Sequence, residues 1–200
     1  MRRRAIPPLA NVTAGPFFPA AFLDPDANDL RELDGQVARG THALLTGRVL
    51  EEGGAPTINT VLEIWQADAS GVFRHPLDPR FAEVDPGFVG WGRACTEQDG
   101  WYRFLTVLPG ATLAADGTPR CPHINVMVLA SGIMRRLVTT VFFADTPDRA
   151  RDPVLDCVPG EAARRRLLAV REPALDADGL TAYRFDIVLR GEGETPFFLD

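Results

Sequence analysis

The chain has 200 residues, 46% of them hydrophobic, and a formal charge of −6. That is enough apolar material for one well-buried core, and the charge lacks the concentrated basic surface that phosphate binding needs. No nucleic-acid partner is expected, and the single dense basic stretch, Arg164-Arg165-Arg166, reads as a solvated or ion-paired face.

The side-chain inventory narrows the chemistry further. There is no lysine, which removes Schiff-base chemistry and a P-loop lysine. The two serines, Ser70 and Ser131, do not sit in nucleophile elbows. The three cysteines, Cys95, Cys121 and Cys157, are far apart and form no Cys-x-x-Cys, so neither a zinc site nor a disulfide framework is indicated. No apolar run of about 18 residues is present, and the Met-Arg-Arg-Arg start is not followed by a signal-like apolar segment. A cytoplasmic protein without membrane contact is expected.

In chain order, residues 1–26 are rich in Pro, Ala and Phe without a period, and form an arm that needs another surface to cover it. Residues 27–200 are expected to form one mainly β domain. Ala27 to Leu33 is compatible with a short helix. From Leu44 onward, short apolar runs alternate with turn residues about every dozen positions, the texture of a sandwich or barrel. Leu44 to Leu50 and Thr60 to Gln66 are strand candidates. Asp99-Gly100 is a turn leading into Trp101 to Val107, and Pro109-Gly110 closes that strand. His123 to Ala130 and Leu137 to Phe143 flank the Ser131-Gly132 turn. Gly160 to Val170 holds helix formers that would cap one end. Tyr183 to Arg190 alternates, with Tyr183, Phe185, Ile187 and Leu189 on one side, as in a half-buried strand.

Several phrases stand in the order found in a known family. They run from Gly47-Arg48-Val49-Leu50 through Leu62-Glu63-Ile64-Trp65-Gln66-Ala67-Asp68 and Gly71-Val72-Phe73-Arg74-His75. Gly90-Trp91-Gly92-Arg93, Asp99-Gly100-Trp101-Tyr102-Arg103-Phe104, Leu108-Pro109-Gly110 and Pro122-His123-Ile124-Asn125-Val126 follow. Tyr183-Arg184-Phe185-Asp186-Ile187 and Gly191 to Phe198 close the series. Over residues 11–200 the chain resembles the intradiol ring-cleaving dioxygenases, which implies an antiparallel, prealbumin-like β-sandwich with short helices.

The resemblance also implies a site. The family holds ferric iron with two tyrosines and two histidines, hard phenolates and imidazoles being suited to Fe(III). The corresponding positions here are Phe73, Thr112, His123 and Asn125, so three of four ligands are gone. Tyr102 and Tyr183 are expected in the core or as buried hydroxyls, and no metal is expected on this chain. His-Ile-Asn in place of His-Ile-His resembles the iron-free alpha-type chains of the family's two-chain members. Those chains imply an iron-binding beta-type partner that carries the Fe(III), a catechol-type aromatic substrate such as 3,4-dihydroxybenzoate, and O2. By the same resemblance Thr13, Gly15, Pro16 and Phe17 of the arm contribute to the partner's pocket wall, although the arm could simply glue subunits together. Alpha-type chains carry a substrate-carboxylate arginine where Ser131 stands here, and Arg120, Arg135 and Arg136 are the nearby cations.

Two other functions fit parts of the pattern. One is a non-catalytic β-sandwich binding module. The other is a stand-alone metalloenzyme using His75, His123 and an acid from Asp78, Glu83 or Asp85.

Overall fold

The structure, a computed structural model, describes residues 18–114, 116–133, 135–146 and 152–198. Its strands are β1 (Glu32–Leu33), β2 (Gln36–Val37), β3 (His42–Leu50), β4 (Val61–Gln66), β5 (Trp91–Cys95), β6 (Trp101–Val107) and β7 (Thr112–Leu113). They continue as β8 (Pro119–Arg120), β9 (His123–Leu129), β10 (Leu137–Phe143), β11 (Leu168–Arg171), β12 (Thr181–Arg184) and β13 (Ile187–Val188). Two short helices, α1 (Pro153–Cys157) and α2 (Glu161–Arg165), lie between β10 and β11.

Nine strands form one curled sheet that folds over into two layers. In the first layer β6 and β12 flank β3, and β13 pairs with the far end of β3. In the second, β5, β4, β9 and β10 are neighbours. The join is β11: Leu168 and Ala169 pair with β10, and then Val170 and Arg171 pair with β12. Between the layers, Leu45, Val49, Phe104, Tyr183 and Ile187 of one pack with Leu62, Ile64, Ile124, Val126, Val128 and Val141 of the other. The period of two puts those residues on the inner faces, and full burial of each large one is worth about 1.5–3 kcal/mol.

The mainly β sandwich expected from the pattern is what the chain forms. Its ladders are mostly antiparallel, but β10–β11, β12–β3 and β13–β3 are parallel. Trp101 to Val107 and Leu137 to Phe143 coincide with β6 and β10. Three local expectations differ. Ala27 to Leu33 is not helical: Asp29 bonds the backbone N–H of Arg31 and its guanidinium, while Leu30 N–H donates to the carbonyl of Leu105 in β6. The backbone is thereby drawn into the sheet, and β1–β2 follows across Asp34-Gly35, both with positive φ as a tight hairpin requires. The segment Gly160 to Val170 is helical only as far as Arg165, because Leu168 onward is claimed by the sheet. Tyr183 to Arg190 keeps its alternation of burial but is broken into β12 and β13 at Phe185-Asp186.

That break has a local cause. The Tyr102 hydroxyl donates to the carbonyl of Phe185 at 2.6 Å, which turns this carbonyl out of the ladder. The same carbonyl lies against Gly47, where an added Cβ would sit only 1.8 Å from it. Gly47 is therefore required by close backbone approach. Burial pushes the Tyr102 phenol well above its ordinary value, so it stays a protonated donor. Tyr183 likewise donates its hydroxyl to Asp145 at 2.8 Å, and burial with that neighbouring carboxylate raises it too. Both tyrosines are structural, as expected.

Candidate functional site

Two of the residues singled out in sequence, Phe73 and Asn125, meet on the outer face of the second layer. On β4 the inward positions Leu62, Ile64 and Gln66 are buried, so Glu63 and Trp65 project outward. The register sets Trp65 opposite Asn125 on β9 and opposite Trp91 on β5, and Glu63 opposite Arg93. Gln66 holds β4 against the other layer: its amide donates to Val107 O at 2.9 Å and its oxygen accepts from the Thr106 hydroxyl.

Asp68 then organises the loop after β4. Fully buried, it accepts from the backbone N–H groups of Ser70 and Val72 with one oxygen and from Asp85 with the other. Asp78 accepts from Phe73 N–H at 2.8 Å, Arg74 donates to Phe88 O, and Arg80 donates to Gly71 O. Gly71 has positive φ, and a Cβ there would lie 1.9 Å from the carbonyl of Ala111. This close approach sets the Phe73 loop beside the β7–β8 hairpin, which carries Thr112.

A cleft of about 670 Å³ opens between these elements, lined by Trp65, Phe73, His75, Leu77, Leu113 and Asn125 among others. A second hollow of about 400 Å³ continues from it past Trp91, Met127 and Arg136. Trp65 and Asn125 line both, so the two form one groove. The Trp65 ring tilts against Phe73 at 6.3 Å and His75 at 5.5 Å. Asn125 accepts at its side-chain oxygen from the Thr140 hydroxyl, 3.2 Å away on β10.

Of the four predicted positions, Phe73 and Asn125 reach the groove. Thr112 is buried in its hairpin, leaving its neighbours Leu113 and Ala114 to line the cleft. His123 is also buried. Its Nδ1–H donates to Cys121 O at 2.7 Å, and its ring packs 6.0 Å from Phe142, which α1 and Leu167 cover. Burial holds the imidazole below its ordinary value of 6.5, and so neutral near pH 7. Ser131 is exposed in the turn after β9. Arg120 is committed to the fully buried Asp152 at 3.0 Å, and only Arg136 of the nearby arginines considered lines the groove. Thr13, Gly15, Pro16 and Phe17 lie outside the described residues.

A family model described as dioxygenase matches residues 13–191. The chain belongs to the intradiol dioxygenase family. Among curated family members, the protocatechuate 3,4-dioxygenase beta chain of Burkholderia cepacia is 40% identical over 182 residues, covering 85% of this chain and 77% of that one. The alpha chain of Pseudomonas putida is 36% identical over 202 residues and 96% of each chain. The alpha chain of Burkholderia cepacia is 38% identical over 164 residues, covering 80% of this chain and 78% of that one. Among solved structures, hydroxyquinol 1,2-dioxygenase from Pseudomonas putida DLL-E4 superimposes with a TM-score of 0.62 at 23% identity, covering 93% of this chain and 68% of that one. Catechol 1,2-dioxygenase from Acinetobacter sp. ADP1 gives 0.60 at 25%, covering 86% and 60%. These likenesses bear on the fold.

The family's ferric iron does not fit the four positions of this chain. Phe73 offers a phenyl ring without a donor, Thr112 a neutral hydroxyl, and Asn125 an amide whose oxygen is already bonded. His123 alone keeps a nitrogen, and the set has no anionic oxygen for a hard trivalent cation. Nor do His75, His123, Asp78, Glu83 and Asp85 assemble into a rearranged site: among the described residues no group of three or more His, Cys, Asp or Glu could hold a metal ion. Asp78 and Asp85 instead bond backbone N–H groups.

Sequence reasoning had Trp65 and Trp91 only as motif letters and did not see that they are cross-strand partners. The Thr140–Asn125 contact was equally hidden. Both depend on register between strands distant in sequence. Among the described residues, no helix is long and apolar enough to cross a membrane.

Proposed function

We propose that this chain is the iron-free alpha-type subunit of a two-chain protocatechuate 3,4-dioxygenase. A homologous beta-type partner holds the Fe(III), and the assembly cleaves 3,4-dihydroxybenzoate with O2 to 3-carboxy-cis,cis-muconate, both oxygen atoms entering the product. The observation that carries this reading is the pair Phe73 and Asn125 lining one groove where the family's motif has donors to iron. Overall similarity does not choose between subunit types, since the identities are 40% to a beta chain and 36% and 38% to alpha chains. Support for the alpha-type reading therefore comes from the side chains at the site.

In this proposal iron supplies Lewis-acid chemistry on the partner, and the present chain supplies shape. By this proposal the 1–26 arm reaches the partner through Thr13, Gly15, Pro16 and Phe17, while Phe22 near its end lies on this chain's own sheet, under the Arg93 guanidinium at 4.0 Å. Glycine permits close backbone approach there, proline fixes the turn and phenylalanine excludes water. The frame that stays behind is the sandwich anchored by Gln66 and Asp68. Ser131, exposed and without a guanidinium, favours a second reading in which the substrate is another catechol that lacks the carboxylate.

The test is co-expression with a homologue that keeps His-x-His and both tyrosines. Co-purification, iron that follows the partner chain, and oxygen uptake with 3,4-dihydroxybenzoate only when both chains are present are the expected results. Iron and oxygen uptake in this chain purified alone would overturn the proposal. Uptake with catechol but not with 3,4-dihydroxybenzoate would select the second reading.

A further inference from the structure

The segment that leads into the sandwich is attached to the sheet at two separate places. At the first, residues 27–30 lie in the seam between β5 and β6. Arg93 N–H of β5 donates to Ala27 O at 2.8 Å. On β6, Leu105 N–H donates to Asn28 O at 2.9 Å, and its carbonyl accepts from Leu30 N–H at 2.8 Å. Leu30 is fully buried there. Leu23, Asp24, Pro25 and Asp26, which precede this place, are exposed.

The second place is a row of ring contacts. The half-buried Phe22 lies under the Arg93 guanidinium at 4.0 Å, and the same guanidinium stands 4.9 Å from the Trp91 ring. Phe18 stacks on Phe22, with centroids 6.1 Å apart and planes inclined by 12°. Glu63 on the neighbouring strand β4 accepts from Arg93 Nε at 2.8 Å. A guanidinium suits this position, because its flat face can lie on a ring while its N–H groups serve a carboxylate in its plane. The pairing with Glu63 orders Arg93 in advance, so that seating Phe22 does not carry the entropy cost of ordering that long side chain. A single attachment would let the preceding chain swivel about the seam. Two attachments, separated by four exposed residues, set a direction.

We propose that Arg93 is a positioning residue. By clamping Phe22 to the edge of the second layer, it sets the direction in which the arm leaves this chain, and so where Thr13, Gly15, Pro16 and Phe17 meet the partner. The inference rests on the two-chain reading and adds to it the joint from which the arm is aimed.

Phe22 is the residue to change first, because its replacement leaves the Arg93–Glu63 pair in place. Phe22→Leu keeps an apolar side chain without a ring face, and Phe22→Tyr keeps the ring. In the chain alone, amide hydrogen exchange is followed at position 22 and at Leu23, whose N–H groups donate to Pro19 O and Ala20 O. It is expected to quicken about three- to fivefold in Phe22→Leu and to keep its natural rate in Phe22→Tyr, with Leu30 N–H unchanged in both. Together with the iron-bearing homologue, Phe22→Leu is expected to raise KM for the substrate that the pair turns over by about the same factor at nearly constant kcat, and Phe22→Tyr to restore it. Arg93→Lys keeps a charge for Glu63 but lacks the flat face, and is expected to follow Phe22→Leu in both readouts. Unchanged exchange in Phe22→Leu and Arg93→Lys overturns the clamp. Faster exchange with KM unchanged overturns the positioning role. A natural chain that does not associate with the homologue at all overturns the two-chain reading and the aiming of the arm with it, and the exchange rates distinguish that result from a clamp that never forms.

Discussion

At the scale of single residues, the sandwich depends on a few polar groups whose partners leave no slack. Tyr102 places its hydroxyl on the turned-out carbonyl of Phe185, and Gly47 makes room for it. Tyr102→Phe is expected to lower the unfolding free energy by about 1–3 kcal/mol, the cost of a buried carbonyl without its donor, at an unchanged denaturant slope. Gly47→Ala is expected to cost more, because its Cβ collides with backbone rather than with a flexible side chain. Equal losses in the two variants would show that the β3 strand yields more easily than the geometry implies. His123 adds a pH dependence. Its folded pKa lies below the ordinary 6.5 because of burial, so the folded chain binds fewer protons than the unfolded one in that window. The stability it permits is present above about pH 6.5 and declines as the pH falls through 6.5 toward the folded value. Urea midpoints compared between about pH 7 and pH 5 should fall less for His123→Gln than for the natural chain. A parallel decline in both assigns the acid sensitivity to carboxylates instead.

At the scale of elements, the long connection between β4 and β5 is positioned by buried anchors rather than by secondary structure. Its only regular piece is a 3-10 turn over Phe81–Glu83. Asp68 is the first anchor, and Asp68→Asn would set an amide donor against a backbone N–H that now donates to carboxylate. The expected result is a loss of about 1–3 kcal/mol, with faster proteolysis confined to residues 69–90 and a shift in Trp65 emission. Unchanged proteolysis would mean that Phe88, buried in the core, holds the loop without Asp68. This loop also shows where sequence legibility stops. Strands β3, β6, β9 and β10 could be read because each carries its own period of apolar positions. Strand β5, Trp-Gly-Arg-Ala-Cys, carries almost none, and β11 was lost inside a run of helix formers, because pairing with neighbours rather than local propensity makes them strands. At the site, Phe73 and Asn125 were legible because the resemblance carries the family's Gly-x-Tyr-x-His and His-x-His phrases onto them residue by residue. Trp91 beside Trp65 and Thr140 beside Asn125 were not, since register is a property of the assembled sheet.

For the whole molecule, the decisive feature is that one strand belongs to both layers. Because β11 passes from β10 to β12, neither layer can close its hydrogen bonds without the other. Gln66 adds a second tie, reaching from β4 in one layer to Val107 and Thr106 of β6 in the other. The apolar core is correspondingly shared, with residues of β3, β6 and β12 in the same cluster as those of β4, β9 and β10. Two layers coupled in this way should unfold together. The tryptophans allow a direct check, since Trp65 and Trp91 stand on the second layer while Trp101 is on β6 of the first. Urea transitions followed by far-ultraviolet circular dichroism, by the fluorescence of Trp101→Phe and by that of the Trp65→Phe/Trp91→Phe variant should each match a single step, and within each protein the two probes should share one midpoint. Separate midpoints within one protein would show that β11 is a hinge between two independently stable sheets. The groove on the second layer could then loosen without loss of the first. Coincidence means that a ligand bound on either layer stabilises the entire domain, and the gain in midpoint would then appear in both layers alike.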